Sequence, residues 1–121
     1  MFDLTSDEAR LLLNVALMAT GQNRFQSATR ILAALERFRP DSEPLVVAKV
    51  VLMLSMHEYA MALDFIDGSA LKRHPDSAML RTFRGMALVR MGRKDDARES
   101  LLAAAASSDV AAANLAKGLL T

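Results

Sequence analysis

Two histidines, one acidic cluster and one basic run are the residues of this chain whose types and spacing could do chemistry. His57 and His74 are the only histidines and stand 17 residues apart. With no cysteine in the chain and no carboxylate at ligand spacing around both, they make no zinc-ligand pattern and read as surface or loop residues. Ser, His and Asp all occur, but the Gly-x-Ser-x-Gly turn that exposes a nucleophile is absent, and so is a glycine-rich phosphate loop. Asp95, Asp96 and Glu99 have the spacing of an acidic first helical turn, where carboxylates are favoured by the helix dipole. The expectation is a protein that is no enzyme and holds no cofactor or metal. From Lys72 to Lys94, seven basic residues (Lys72, Arg73, Arg81, Arg84, Arg90, Arg93, Lys94) face one acid, Asp76. Nucleic-acid binding would call for more positive charge overall and for aromatic platforms, and only Phe83 lies nearby. The stretch reads first as a solvated face and second as a contact for an acidic partner, with no nucleic acid.

The elements that must position these residues follow from composition and spacing. In 121 residues, 52% are hydrophobic and 24% charged, enough for one continuous core and unlike a disordered chain or a disulfide-stapled scaffold. The net charge of +1 argues against a general polyanion binder. The N-terminal Met1-Phe2-Asp3-Leu4-Thr5-Ser6-Asp7-Glu8 carries acids where a secretory signal needs bases, and no apolar run approaches the roughly 18 residues of a membrane span. A cytoplasmic protein without membrane insertion is expected.

Apolar residues recur at helical rather than alternating spacing, so the fold class is all-α. Thr5-Ser6 caps a first helix whose apolar periodicity runs from Leu11 to Ala19 and stops at Gly21. A second helix spans about Arg24 to Phe38, before Pro40. Asp41-Ser42 caps a third, from near Pro44 to about Met56, and a fourth covers about Glu58 to Ala70. After the His74-Pro75-Asp76-Ser77 break, a fifth helix runs to Met91, Gly92 ends it, and a sixth extends from Lys94 to about Ala106. Ser107-Ser108-Asp109 caps a seventh towards Leu120.

Ala28, Ala62 and Ala97 lie 34 and 35 residues apart, the period of a tetratricopeptide repeat. Phe25, Tyr59 and Lys94 each precede one of these alanines by three residues. Gly85 and Ala87 suit a close approach of two helices, Ala16 and Val50 take the place of Gly85 in the earlier units, and Gly92 makes a turn. Pro40 closes the first unit, and Pro75 closes the second one residue late. Arg81 and Arg84 stand where such repeats usually carry large apolar side chains. The expected architecture is one domain over 1–121: a tetratricopeptide-like stack of three helical hairpins (about 9–42, 43–77 and 78–108) with a C-terminal capping helix over about 109–120. The alternative is an ordinary helical bundle with short connections.

In such a stack the first helix of each pair lines the concave side. Its inward positions are Leu13, Leu17 and Thr20, then Val47, Val51 and Leu54, then Thr82, Met86 and Val89, joined by Met79. An aliphatic lining suits an amphipathic helix with anchors at i, i+3, i+4 and i+7, not a charged peptide tail. Eight methionines add adaptable side chains. The other possibility is a groove filled by the chain itself, for example by the last helix. Leu115, Leu119 and Leu120 are expected to cap the stack, and an open groove of this kind predicts self-association when unbound.

Asn14-Val15-Ala16-Leu17-Met18-Ala19-Thr20-Gly21, Glu58-Tyr59-Ala60-Met61-Ala62-Leu63, and Ser108-Asp109 followed by Leu115 and Gly118 resemble segments of one family. It comprises the tetratricopeptide-like needle-subunit chaperones of bacterial type III secretion, the YscG/PscG type. The likeness is spread over most of the chain. It implies a binding protein of the bacterial cytosol that buries the apolar C-terminal helix of a needle-forming subunit in its concave groove and prevents premature polymerisation. It also implies a small helical co-chaperone packed on the N-terminal repeat. The groove would then be Leu13, Leu17, Val47, Val51, Leu54, Met79, Met86 and Val89. Alternatives are a tetratricopeptide chaperone for type III translocator proteins, a longer family, and a general protein–protein interaction scaffold.

Overall fold

The structure is a computed structural model that describes residues 4–40 and 42–121. The described residues are all helical or connecting, with no strand, and they divide into two compact units, Met1–His57 and Glu58–Thr121. The division falls inside the second expected repeat. Residues 1–3 and Asp41, part of the expected cap of the third helix, lie outside the described residues.

The first unit holds α1 (Ser6–Gly21), α2 (Phe25–Phe38) and α3 (Glu43–Ser55). Thr5 caps α1 reciprocally with Glu8: the Thr5 Oγ1 accepts from the Glu8 N–H and the Glu8 carboxylate accepts from the Thr5 N–H, both at 3.1 Å. Two otherwise orphaned donors of the first turn are thereby satisfied. Ala16 and Ala19 from α1, Ala28, Leu32 and Leu35 from α2, and Leu45, Ala48 and Leu52 from α3 form a buried cluster. Small residues on α1 and α2 let these helices approach closely. The buried Thr20 hydroxyl donates back to the Ala16 carbonyl at 2.9 Å, which removes the cost of an unpaired polar group. Lys49 on α3 pairs with Glu36 on α2 at 2.9 Å.

The second unit begins with α4, which is α-helical over Tyr59–Phe65, passes through a π-helical turn over Ile66–Ala70 and ends in one α-turn over Leu71–Arg73. Helices α5 (Ala78–Arg90), α6 (Lys94–Ala105) and α7 (Val110–Leu120) follow. Ser77 Oγ accepts from the Leu80 N–H at 3.2 Å, and an Asp109 carboxylate oxygen accepts from the Ala112 N–H at 3.1 Å, so both α5 and α7 start on side-chain caps. Leu88, Ala97, Leu101, Ala104 and Ala116 make the core of α5, α6 and α7. Gly85 is required by its neighbour: a Cβ there would overlap the Leu101 side chain.

The fourth helix was expected to be uninterrupted, and the π-turn is the departure. From Ala28 to Pro40 there are 12 residues and from Ala62 to Pro75 there are 13. A π-helical turn closes i→i+5 bonds and so takes up one residue more than an α-turn. The late position of Pro75 and the π-turn are therefore one feature, seen in sequence and in backbone.

The same local turn recurs three times. Asn23 (φ 61°), His57 (φ 61°) and Gly92 (φ 77°) occupy the left-handed region, each five residues before Ala28, Ala62 or Ala97. The N–H of each alanine donates to the carbonyl four residues back, at 3.1, 2.9 and 3.1 Å, and all three alanines are fully buried. Gly92 was expected there. At the first turn the left-handed residue is Asn23 and not Gly21, and asparagine tolerates that conformation better than most side chains. Histidine shares that tolerance, and His57 takes the same conformation.

Candidate partner-binding surface

Five of the expected groove residues lie on the first unit and three on the second, and each set is placed by its own helices. On α1, Leu13 is half-buried against the α1–α2–α3 cluster, while Leu17 retains 38% exposure. Leu13 also lines a cavity of about 170 Å³ with Leu35, Leu45 and Pro44, rimmed by Arg10 and Arg39. On α3, Val47 and Val51 are half-buried, but Leu54 is only 8% exposed and belongs to the core. Thr20 is likewise buried. Leu13, Leu17, Val47 and Val51 are thus the residues of this set with apolar surface to offer.

On α5, Met79, Met86 and Val89 are half-buried. Val89 packs against the α5–α6–α7 core and borders a hollow of about 260 Å³ with Leu119 and Leu120. Thr82 is fully buried, its hydroxyl 3.0 Å from the Ala78 carbonyl and 3.3 Å from the Ala112 carbonyl of α7. At Thr82 the expected inward face of α5 is therefore covered by the last helix. Leu119 and Leu120 pack on the same core, whereas Leu115 stays exposed.

Sequence reasoning missed a stripe on α1. Leu11 (63% exposed), Val15 (41%) and Met18 (63%) recur at i, i+4 and i+7, away from buried Ala16 and Ala19. The signal was present in the composition of the helix: between Leu11 and Ala19 only Asn14 is polar, so α1 is more apolar than one buried face requires.

Part of the basic run is engaged within the second unit. Arg84 pairs with Asp67 and Ser100, Arg93 with Asp96 at 2.9 Å, and the Arg81 guanidinium lies 3.4 Å from the Ser77 carbonyl. His57 sits exposed at its turn and His74 is half-buried between α4 and α5, its Nε2 without a hydrogen-bond partner. Among the described residues no three His, Cys, Asp or Glu side chains are grouped to hold a metal ion. No described helix is long and apolar enough to cross a membrane. The Glu8 carboxyl is held below its ordinary pKa, first by the Thr5 backbone N–H and then by the Thr5 side chain.

Compared with known proteins, the chain matches no family model, no curated protein and no solved structure.

Proposed function

We propose that this chain is a cytoplasmic chaperone of a bacterial type III secretion system, with three tetratricopeptide-like hairpins and a capping helix. It holds the amphipathic helix of a needle-forming subunit against an apolar face and so keeps that subunit from polymerising, together with a small helical co-chaperone. The observation that carries this is that each unit by itself leaves uncharged apolar side chains half open on its helices, Leu17, Val47 and Val51 in the first and Met79 and Met86 in the second. A self-assembling helix exposes a face of the same kind, and covering it with complementary apolar surface converts an aggregating protein into a stoichiometric complex. The threefold recurrence of the left-handed turn and of the buried alanine at 34- and 35-residue spacing supports the repeat architecture.

The test is co-expression with a needle-forming subunit, followed by size-exclusion chromatography with mass detection. A stoichiometric complex is expected. Val51→Asp and Met86→Asp should each abolish it while the circular dichroism stays helical. Unchanged binding in both variants, or no complex at all, overturns the proposal.

A further inference from the structure

The exposed stripe of α1 is separate from the face proposed above, because Leu17 lies about 100° around the helix from Met18. Read as a heptad seam, Leu11 and Met18 occupy d positions and Val15 the a position between them, with Glu8 and Gln22 at the flanking a positions. We infer that a second copy of this chain covers the stripe, with the two α1 helices packed antiparallel about a two-fold axis near Asn14 and Val15.

The charges select this occupant and this direction. Asp7 and Glu8 are exposed at one end of the stripe, exposed Arg24 lies just beyond the other, and no charge falls between Leu11 and Met18 on that face. A two-fold axis through the middle sets Leu11 of each copy against Met18 of the other. It also brings Asp7 of each copy towards Arg24 of the other and pairs the Glu8 end with Gln22. The surface is thus complementary to itself, as an isologous interface requires. A parallel pairing would stack Asp7 and Glu8 on their own counterparts. One helix of 16 residues, about 24 Å long, offers a small interface, so the dimer is weak and dependent on concentration.

Sedimentation equilibrium on the full chain, without any partner, tests this over a hundredfold concentration range. The expected result is a mass rising from monomer towards dimer. Arg24→Glu should weaken dimerisation about three- to tenfold, and adding Asp7→Lys should restore it. The chain has no cysteine, so Val15→Cys should give a disulfide-linked dimer on mild oxidation, while Ala33→Cys, on an exposed face of α2, should not. Leu11→Asp with Met18→Asp should be monomeric throughout with helicity retained. Should that variant unfold, the charge reversal and the cysteine pair decide the matter. A wild-type chain that stays monomeric overturns the proposal, as does a dimer indifferent to Arg24→Glu. So does a stripe that turns out to bind only a different protein. None of these outcomes depends on whether the chain binds a needle subunit, and the co-chaperone, which the resemblance places on the N-terminal repeat, is left out of every arm because it would compete for α1.

Discussion

The Arg84 guanidinium on α5 reaches the Asp67 carboxylate in the π-turn of α4 at 2.6 Å and, through a second nitrogen, the buried Ser100 hydroxyl on α6 at 2.7 Å. One side chain thus ties three helices of the second unit together. The ion pair is partly exposed and contributes modestly by itself. Leaving the Ser100 hydroxyl unpaired adds to the loss. Arg84→Ala should destabilise the protein by about 1–2 kcal/mol in urea denaturation. Asp67→Ala should cost less, because Arg84 keeps its bond to Ser100. In a double-mutant cycle Arg84 and Ser100 should couple measurably, and additive losses would show that the two side chains act independently.

Gly85 lies against Leu101, which is almost fully buried. Gly85→Ala would gain roughly 1 kcal/mol in helix propensity but force the Leu101 side chain out of its packed position. Overpacking of this kind costs about 1–3 kcal/mol, so a net loss of up to about 2 kcal/mol is expected from chemical denaturation. Combining Gly85→Ala with Leu101→Val should recover part of it, since the smaller side chain gives the new methyl room. A Gly85→Ala protein more stable than the wild type would contradict the close approach of α5 and α6.

The π-turn makes a prediction about length. Deleting Gly68 removes the residue that lengthens the second unit from 12 to 13 positions between alanine and proline, and α4 can close as a regular α-helix. The deletion should leave the protein folded, at a cost of no more than about 2 kcal/mol, within the range of an ordinary point substitution. Deleting Ala48 from regular, buried α3 should unfold the first unit, because every core residue after it would rotate away from its partners. Thermal melts of the two variants compare them directly. Equal damage from both deletions would mean that the π-turn is not where the extra residue is absorbed.

The helical class and most helix ends were legible in the sequence because they rest on local signals: the hydroxyl and acidic caps at Thr5 and Asp109, Pro40 and the His74-Pro75-Asp76-Ser77 stretch as breaks, and Gly92 as a turn. The buried alanines were legible from their spacing. The π-turn was half legible, since the late Pro75 showed an extra residue but not where it would go. The left-handed His57 was overlooked although histidine, like asparagine, is enriched in that conformation; in the sequence it marked only the gap between the third helix, ending at about Met56, and the fourth, starting at about Glu58. Among the candidate site residues, Leu54, Thr20 and Thr82 proved buried, which depends on the neighbouring helices and not on the register. Leu11, Val15 and Met18 were overlooked for the converse reason: a helix apolar on nearly every side does not reveal from sequence which side remains uncovered.

The Thr5–Glu8 cap predicts how the start of α1 responds to acid. Because the folded state holds the Glu8 carboxyl below its ordinary pKa, the unfolded state takes up a proton first as pH falls. The stabilisation is therefore complete above the ordinary glutamate range, about 4.3, and is lost progressively as pH drops through that range towards the lowered folded value. The protection of the Thr5 and Glu8 amides, whose N–H groups close the cap, measured against the exchange of an unfolded chain at the same pH, should fall over that interval. In Glu8→Gln the neutral amide oxygen can still accept from Thr5, so the cap should survive with its pH dependence removed. In Thr5→Ala the backbone N–H remains but the reciprocal bond is gone, so the Glu8 titration, followed by carboxyl NMR, should move back towards its ordinary position. A wild-type Glu8 that titrates like a free glutamate would show that the capping box does not persist in solution.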